Sequence, residues 1–149
     1  MKKLSALTSH MLTLSGITRD QVEAFTDQGR LISDGKDLGY GLQVGRFKYD
    51  AVISIDRCRA EIAEQLLSSL LIWLDANDPE RDVLELAEPD VDVTPLDDQT
   101  VGVEIVVAFD EPLVIVPDPE GPLAYEGEQW RVGDAGVTVA ETLAGIETV

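Results

Sequence analysis

The stretch Cys58-Arg59-Ala60-Glu61-Ile62-Ala63-Glu64-Gln65-Leu66-Leu67-Ser68-Ser69-Leu70-Leu71-Ile72-Trp73-Leu74-Asp75-Ala76 decides the reading of this chain. Ile62, Leu66, Leu70 and Trp73 recur at i, i+4, i+8 and i+11, with Ala63, Leu67, Leu71 and Leu74 as a second row beside them. At about 100° per residue both rows fall on one broad half of a helix, the pattern of a core-facing amphipathic element. Asp56 is placed to cap its first turn. Asn77 suits a left-handed residue just past its end, and Asp78, preceding Pro79, is pushed out of helical geometry. Before the helix, Phe47, Tyr49, Ala51, Ile53 and Ile55 alternate with Lys48, Asp50, Val52, Ser54 and Asp56, the period of a strand. After it, Val101, Val103, Ile105, Val107 and Phe109 repeat that period. The expectation is an α+β fold, with N-terminal helices and an antiparallel or mixed sheet crossed on one face by one long amphipathic helix. Trp73, Leu70, Leu66 and Ile62 should pack against Tyr49, Ala51, Ile53, Ile55, Val103, Ile105 and Val107.

Working outward toward the N-terminus, Leu4, Leu7, Met11 and Leu14 predict a helix over about 3–14, broken at Gly16. Thr18 with Gln21 is a capping box, predicting a short helix that carries Val22 and Phe25 and ends at Gly29. Arg30 to Asp34 reads as a short strand, Gly35 as a turn, and Tyr40 to Ile55 as extended chain. Gly39, Gly41 and Gly45 leave open whether that is one bent strand or two. Toward the C-terminus, 79–88 reads as an acidic connecting loop anchored by Val83, Leu84 and Leu86. Val91 and Val93 belong to a strand that Asp97-Asp98 turns back into the strand at 100–109, making a hairpin. Glu111-Pro112 should interrupt, Leu113 to Val116 should resume, and Pro117 to Pro122 should be a loop. Leu123 to Val132 should add an edge strand with Tyr125 and Trp130. We expect one domain over 1–132 and a C-terminal tail over 133–149, flexible or ordered on assembly, with sparse apolar positions at Val137, Val139, Leu143 and Ile146.

The chain of 149 residues has a mean hydropathy near zero and 44% hydrophobic residues, which is globular rather than disordered. No apolar run approaches the roughly 20 residues that span a bilayer. Thr8, Ser9, His10 and Thr13 interrupt the mildly apolar start, against a signal peptide. The single cysteine, Cys58, excludes an internal disulfide and fits a reducing cytoplasm. The net charge of −18 is uneven: residues 1–79 carry 11 acidic and 9 basic side chains, residues 80–149 carry 18 and 2. A half at −16 argues against binding nucleic acid or anionic lipid.

No phosphate loop, dinucleotide fingerprint, nucleophile elbow or HExxH is present. The lone His10 gives no basis for a triad, and Asp90, Asp92, Asp97 and Asp98 lack the spacing of a calcium loop. The sequence therefore names no catalytic residue, cofactor or metal. One position breaks the helix pattern: Ile72 projects toward the polar side near Ser68 and Ser69. An isoleucine beside two small serines is a surface that another subunit can approach closely, so these three are the candidate subunit interface.

The order of landmarks carries a resemblance. Gln21-Val22-Glu23-Ala24-Phe25-Thr26-Asp27-Gln28-Gly29 is followed by Phe47-Lys48-Tyr49-Asp50-Ala51-Val52-Ile53-Ser54-Ile55, then by Leu70-Leu71-Ile72-Trp73-Leu74 and Asn77-Asp78-Pro79. Over about residues 18–116 this resembles the tail completion protein R family of peduovirus-type contractile-tail phages. Asp56-Arg57-Cys58 departs from the family's acidic loop at that point, and the acidic, glycine-rich C-terminal region has no counterpart.

The resemblance implies a tail terminator-like subunit without enzymatic activity, located in the virion at the head-proximal end of the tail and in the host cytoplasm during assembly. It implies a structural role: capping the tail tube, ending its polymerisation and forming the surface for head attachment. The implied partners are other copies in a hexameric ring, the tail tube protein, and sheath and head-completion or neck proteins. DNA passes through without being bound. Asp97, Asp98, Glu104, Asp118 and Glu120 are the candidate acids lining that channel, since carboxylates repel phosphates. The rival readings are a head–tail connector or tail-assembly adaptor, and a small metal-dependent enzyme.

Overall fold

The structure, a computed structural model, describes residues 1–133; the tail expected over 133–149 lies, from residue 134, outside the described residues. Strand accounts for 50% of the described residues and helix for 26%. Helix α1 spans Lys2–Met11, β1 Val22–Asp37, β2 Leu42–Arg59, α2 Ala60–Asn77, β3 Asp90–Pro95, β4 Thr100–Pro117, β5 Leu123–Tyr125 and β6 Glu128–Gly133. Single turns of 3-10 helix lie at Arg19–Gln21 and Pro79–Arg81. The strand order is β1-β2-β4-β6-β5, with β3 also pairing β4.

This overturns the expected α+β, tail terminator-like layout with a long amphipathic helix laid over a sheet: the chain is mostly β, with two helices. The principal cause lies at residues 18–37. Gln21 Oε1 does accept the Thr18 N–H at 2.8 Å, but the helix it opens stops after three residues. The same amide then donates to the carbonyls of Asp56 and Arg57, at 3.3 and 2.8 Å. Pairing of Val22 onward with β2 wins over local helix propensity, and the half-buried Val22, Ala24 and Thr26 alternate with exposed Glu23, Phe25 and Asp27. Gly29 therefore ends no helix. At the other end of β1 the chain turns through Gly39 (φ +90°), with Leu38 N–H donating to Gly41 O at 2.8 Å. A glycine with positive φ at the first central position is what a two-residue hairpin of this twist requires.

Of the segment 40–55, Tyr40 and Gly41 lie in the turn and the rest, from Leu42, belongs to one strand that runs on to Arg59, so Asp56 lies within β2 and caps nothing. The first helical N–H, of Ala60, donates to Gln99 O at 3.2 Å instead. Asn77 is not left-handed; its side chain donates to Trp73 O at 3.1 Å. Asp78 does leave helical geometry, at φ −137° and ψ 55°. Pro112 fails to break β4 for a readable reason. Among the described residues, partner β3 covers Val101 to Val106 and partner β6 covers Val114 to Pro117, so Pro112 falls between the two described ladders, where its missing N–H costs neither of them a hydrogen bond. The expected edge strand at 123–132 is a hairpin, turned by Glu126 (φ +51°) and Gly127 (φ +77°).

The described chain forms two compact units, and β1, β2 and β4 pass through both. The first holds Met1–Gly29 and Lys48–Asp110. Its core comprises Leu4, Leu7, Met11, Ile17, Tyr49, Ala51, Ile53, Ile55, Leu66, Leu70, Trp73, Val103, Ile105, Val107 and Phe109, all buried. Ile62 is only half-buried. In the second apolar row of α2, Ala63 and Leu74 are buried but Leu71 is 57% exposed. The second unit holds Arg30–Phe47 and the chain from Glu111 on, with Val114, Ile115 and Trp130 buried.

Candidate functional site

On α2, Ser68 and Ile72 are exposed, Ile72 at 68%, with Leu71 next to it. Ser69 is drawn the other way: its hydroxyl shares a 2.6 Å hydrogen bond with His10 Nε2 on α1, which ties the two helices together. Leu71 also walls a small groove of about 160 Å³, with Leu74 and Leu86 as apolar lining and Asp75, Asp82 and Glu88 around them. The surface on this helix is thus Leu71 and Ile72 with an acidic border. Sequence periodicity concealed Leu71 by placing it in the core row.

The second candidate surface is the β3–β4 hairpin. The register sets Asp92 directly opposite Glu104 and Val93 opposite Val103. Because side chains alternate, Asp90, Asp92 and Glu104 share one face, while Val91, Val93, Val103 and Ile105 share the other. Like charges directly across a strand pair are unfavourable. At the hairpin end Asp97 Oδ1 accepts the N–H groups of Gln99 and Thr100 at 2.9 and 2.8 Å. The Gln99 bond first, then those to Thr100 and the Arg57 guanidinium, hold the Asp97 carboxyl below its usual range. Asp97 therefore shapes the turn, while Asp98 and Glu104 are exposed. In the second unit Asp118 likewise accepts the Glu120 N–H at 2.9 Å and lies 3.7 Å from Arg131 Nε; Glu120 is exposed.

A third constellation carried no signal in the sequence reading. Asp78, with its side chain 1% exposed, receives Lys3 Nζ at 2.6 Å and an Arg81 guanidinium nitrogen at 2.9 Å. Arg81 also donates to the carbonyls of Ala108 and Ala87, each at 2.9 Å, and its Cζ stands 5.9 Å from the Phe109 ring centroid. Phe109 in turn meets Trp73 edge-on at 6.4 Å and Tyr49 at 5.8 Å. Lys3 further donates to Asp110 O at 3.3 Å. The spacing Asp78-Pro79-x-Arg81 was the available clue, an ion pair at i, i+3 just past a helix end. These groups are consumed by one another, which makes the node a structural fastening.

In the second unit a cleft of about 470 Å³ opens between Ser33 to Lys36, Leu42 to Val44, and Tyr125. Gln43 within it donates to Asp34 Oδ2 at 2.8 Å. Among the described residues no group of three or more His, Cys, Asp or Glu side chains is gathered to hold a metal ion. Nor is any described helix long and apolar enough to cross a membrane.

The exposed apolar pair Leu71 and Ile72 on α2 is a surface suited to assembly. Comparison with known proteins gives the same direction: the model of the P2 phage tail completion protein R (GpR) family matches residues 1–134. The chain belongs to this family. It is also 30% identical, over 123 residues, to an "uncharacterized 19.2 kDa protein in rep-hol intergenic region" of Haemophilus phage HP1, covering 80% of this chain and 74% of that protein. No solved structure matches. Membership assigns a structural role in the phage tail. The resemblance noted over 18–116 thus extends to the first helix and through the β5–β6 hairpin.

Proposed function

We propose that this chain caps the head-proximal end of the tail tube, ends tube polymerisation and provides the surface to which the head docks. The family match over residues 1–134 carries this reading. The subunit acts as a homo-oligomer, a hexameric ring matching the six-fold symmetry of contractile tails. It rests on the tail tube protein on one side and meets head-completion or neck proteins on the other. A closed ring needs a head-to-tail contact between two different patches. Leu71 and Ile72, with Ser68 beside them, supply one such patch, apolar and bordered by acids.

The acidic face of the β3–β4 hairpin, with Asp98 and Glu104, and the loop carrying Asp118 and Glu120 turn toward the channel. The opposed Asp92 and Glu104 support this assignment, because a repulsive pair is retained more readily where it serves a surface. A carboxylate-lined lumen passes DNA without counterion-release binding. The protein acts in the host cytoplasm during assembly and resides afterwards in the virion tail.

The test is tail morphology after disruption of the gene. Tubes of heterogeneous, excessive length that lack heads are expected in electron micrographs. Uniform, capped tails would refute the capping role. The isolated protein should also leave DNA unretarded at physiological salt.

A further inference from the structure

The register of the second unit builds an apolar face that the described chain leaves partly open. Val132 stands opposite Ile115, and Leu123 opposite Trp130. Residues two apart on a strand share a face, so Leu113 joins Ile115, Val132 joins Trp130, and Tyr125 joins Leu123. Six apolar side chains from three strands thus lie on one side. The central Ile115 and Trp130 are each 7% exposed, while Leu113, Val132, Leu123 and Tyr125 around them are 38, 65, 37 and 45% exposed. The Trp130 indole N–H is already satisfied by Tyr125 O at 3.0 Å, and the exposed Glu128, opposite Tyr125, borders the six at the turn end of the hairpin. The face is therefore suited to apolar cover.

The chain itself continues from this face. Gly133 ends β6 opposite Val114, one residue from Val132, and residues 134–149 follow directly. Their sequence carries Val137 and Val139 in strand alternation, then Leu143, Ile146 and Val149, with no basic residue. Extended, a segment of this length reaches roughly 50 Å at about 3.3 Å per residue, several times the width of three strands. We infer that the Leu113–Ile115–Val132–Trp130–Leu123–Tyr125 face is the receptor for the chain's own segment 134–149, with Val137 and Val139 as its anchors. This does not depend on the capping role; it gives the second unit a closing element drawn from the chain's end.

Cysteine pairing in the full-length protein tests it. Val132→Cys is combined in turn with Val137→Cys, Val139→Cys and Leu143→Cys; the native Cys58 is 2% exposed and does not compete. Under mild oxidation at least one pair should form a disulfide in most molecules, whereas Arg131→Cys, on the opposite face of β6, should not with the same partners. In parallel, full-length Val137→Asp/Val139→Asp should bind several-fold more of an apolar fluorescent dye than the parent. Failure of all three pairs, equal cross-linking from position 131, or unchanged dye binding would overturn the assignment. So would dissociation of an oligomer by Val132→Asp without any cross-link to the segment, since the face would then belong to a second copy.

Discussion

Replacing Asp78 by asparagine isolates the energetic role of the buried fastening. The substitution keeps size and one acceptor but deletes the charge that receives Lys3 at 2.6 Å and Arg81 at 2.9 Å. Hydrogen bonds to charged groups contribute about 1.5–3 kcal/mol each. The Lys3 side chain is 23% exposed and recovers part of its loss by hydration. Arg81, 12% exposed, keeps its bonds to Ala108 and Ala87 but loses its counter-charge. A total of about 3 kcal/mol follows, within the usual range for breaking one side of a buried pair. For a chain of this size that is a fall in Tm of about 10 °C. Thermal and urea melts at neutral pH, followed by circular dichroism, measure it. Lys3→Met should cost less, because it leaves the Asp78–Arg81 pair intact. An Asp78→Asn protein melting within about 2 °C of the parent would refute the reasoning, since an unpaired buried guanidinium cannot be so cheap.

Three further outcomes are expected. Trp73→Ala removes a ring packed edge-on to Phe109 and should cost about 3–5 kcal/mol, giving insoluble or molten protein; a soluble variant with unchanged Tm would place Trp73 outside the core. Burial pushes the Cys58 thiol up, so native protein should react slowly with a disulfide reagent at neutral pH and fully once unfolded, and rapid native labelling would contradict the burial. The folded Asp97 carboxyl titrates below its unfolded value, so its contribution is present above the unfolded pKa, about 3.9, and fades as pH falls through the folded value. The Tm gap between the parent and Asp97→Ala should accordingly narrow on acidification, which a melting series from pH 7 to pH 3 reads directly.

What was legible in the sequence was whatever a short window determines. The Asp97 turn, the 100–109 alternation and the break at Asp78-Pro79 are each written in a few neighbouring residues, and each is present. The acidic hairpin was visible for the same reason. What was illegible depended on distant partners. The Thr18–Gln21 box is a sound helix start, yet β2 claimed the residues after it. Pro112 breaks a strand only where a neighbour needs its N–H, and the positions of β3 and β6 are not local facts. Leu71 fits the helical repeat, but whether anything lies opposite it is decided elsewhere in the fold. The Glu126-Gly127 turn was a missed local signal, since a glycine-ended pair between two short strand-like runs marks a hairpin.

The Lys3 bonds have a consequence for the order in which the subunit matures. Helix α1 leaves the ribosome before every other described element, yet its lysine reaches across 75 residues to Asp78 and 107 to Asp110. At about 5–20 residues per second, Asp110 is synthesised roughly 5–20 s after Lys3. Until then α1 lacks both its ionic anchor and the β4 backbone that completes the fastening. Helix α1 is therefore locked down only after the chain has been made through Asp110, so a nascent chain or one truncated before that residue keeps α1 unfastened.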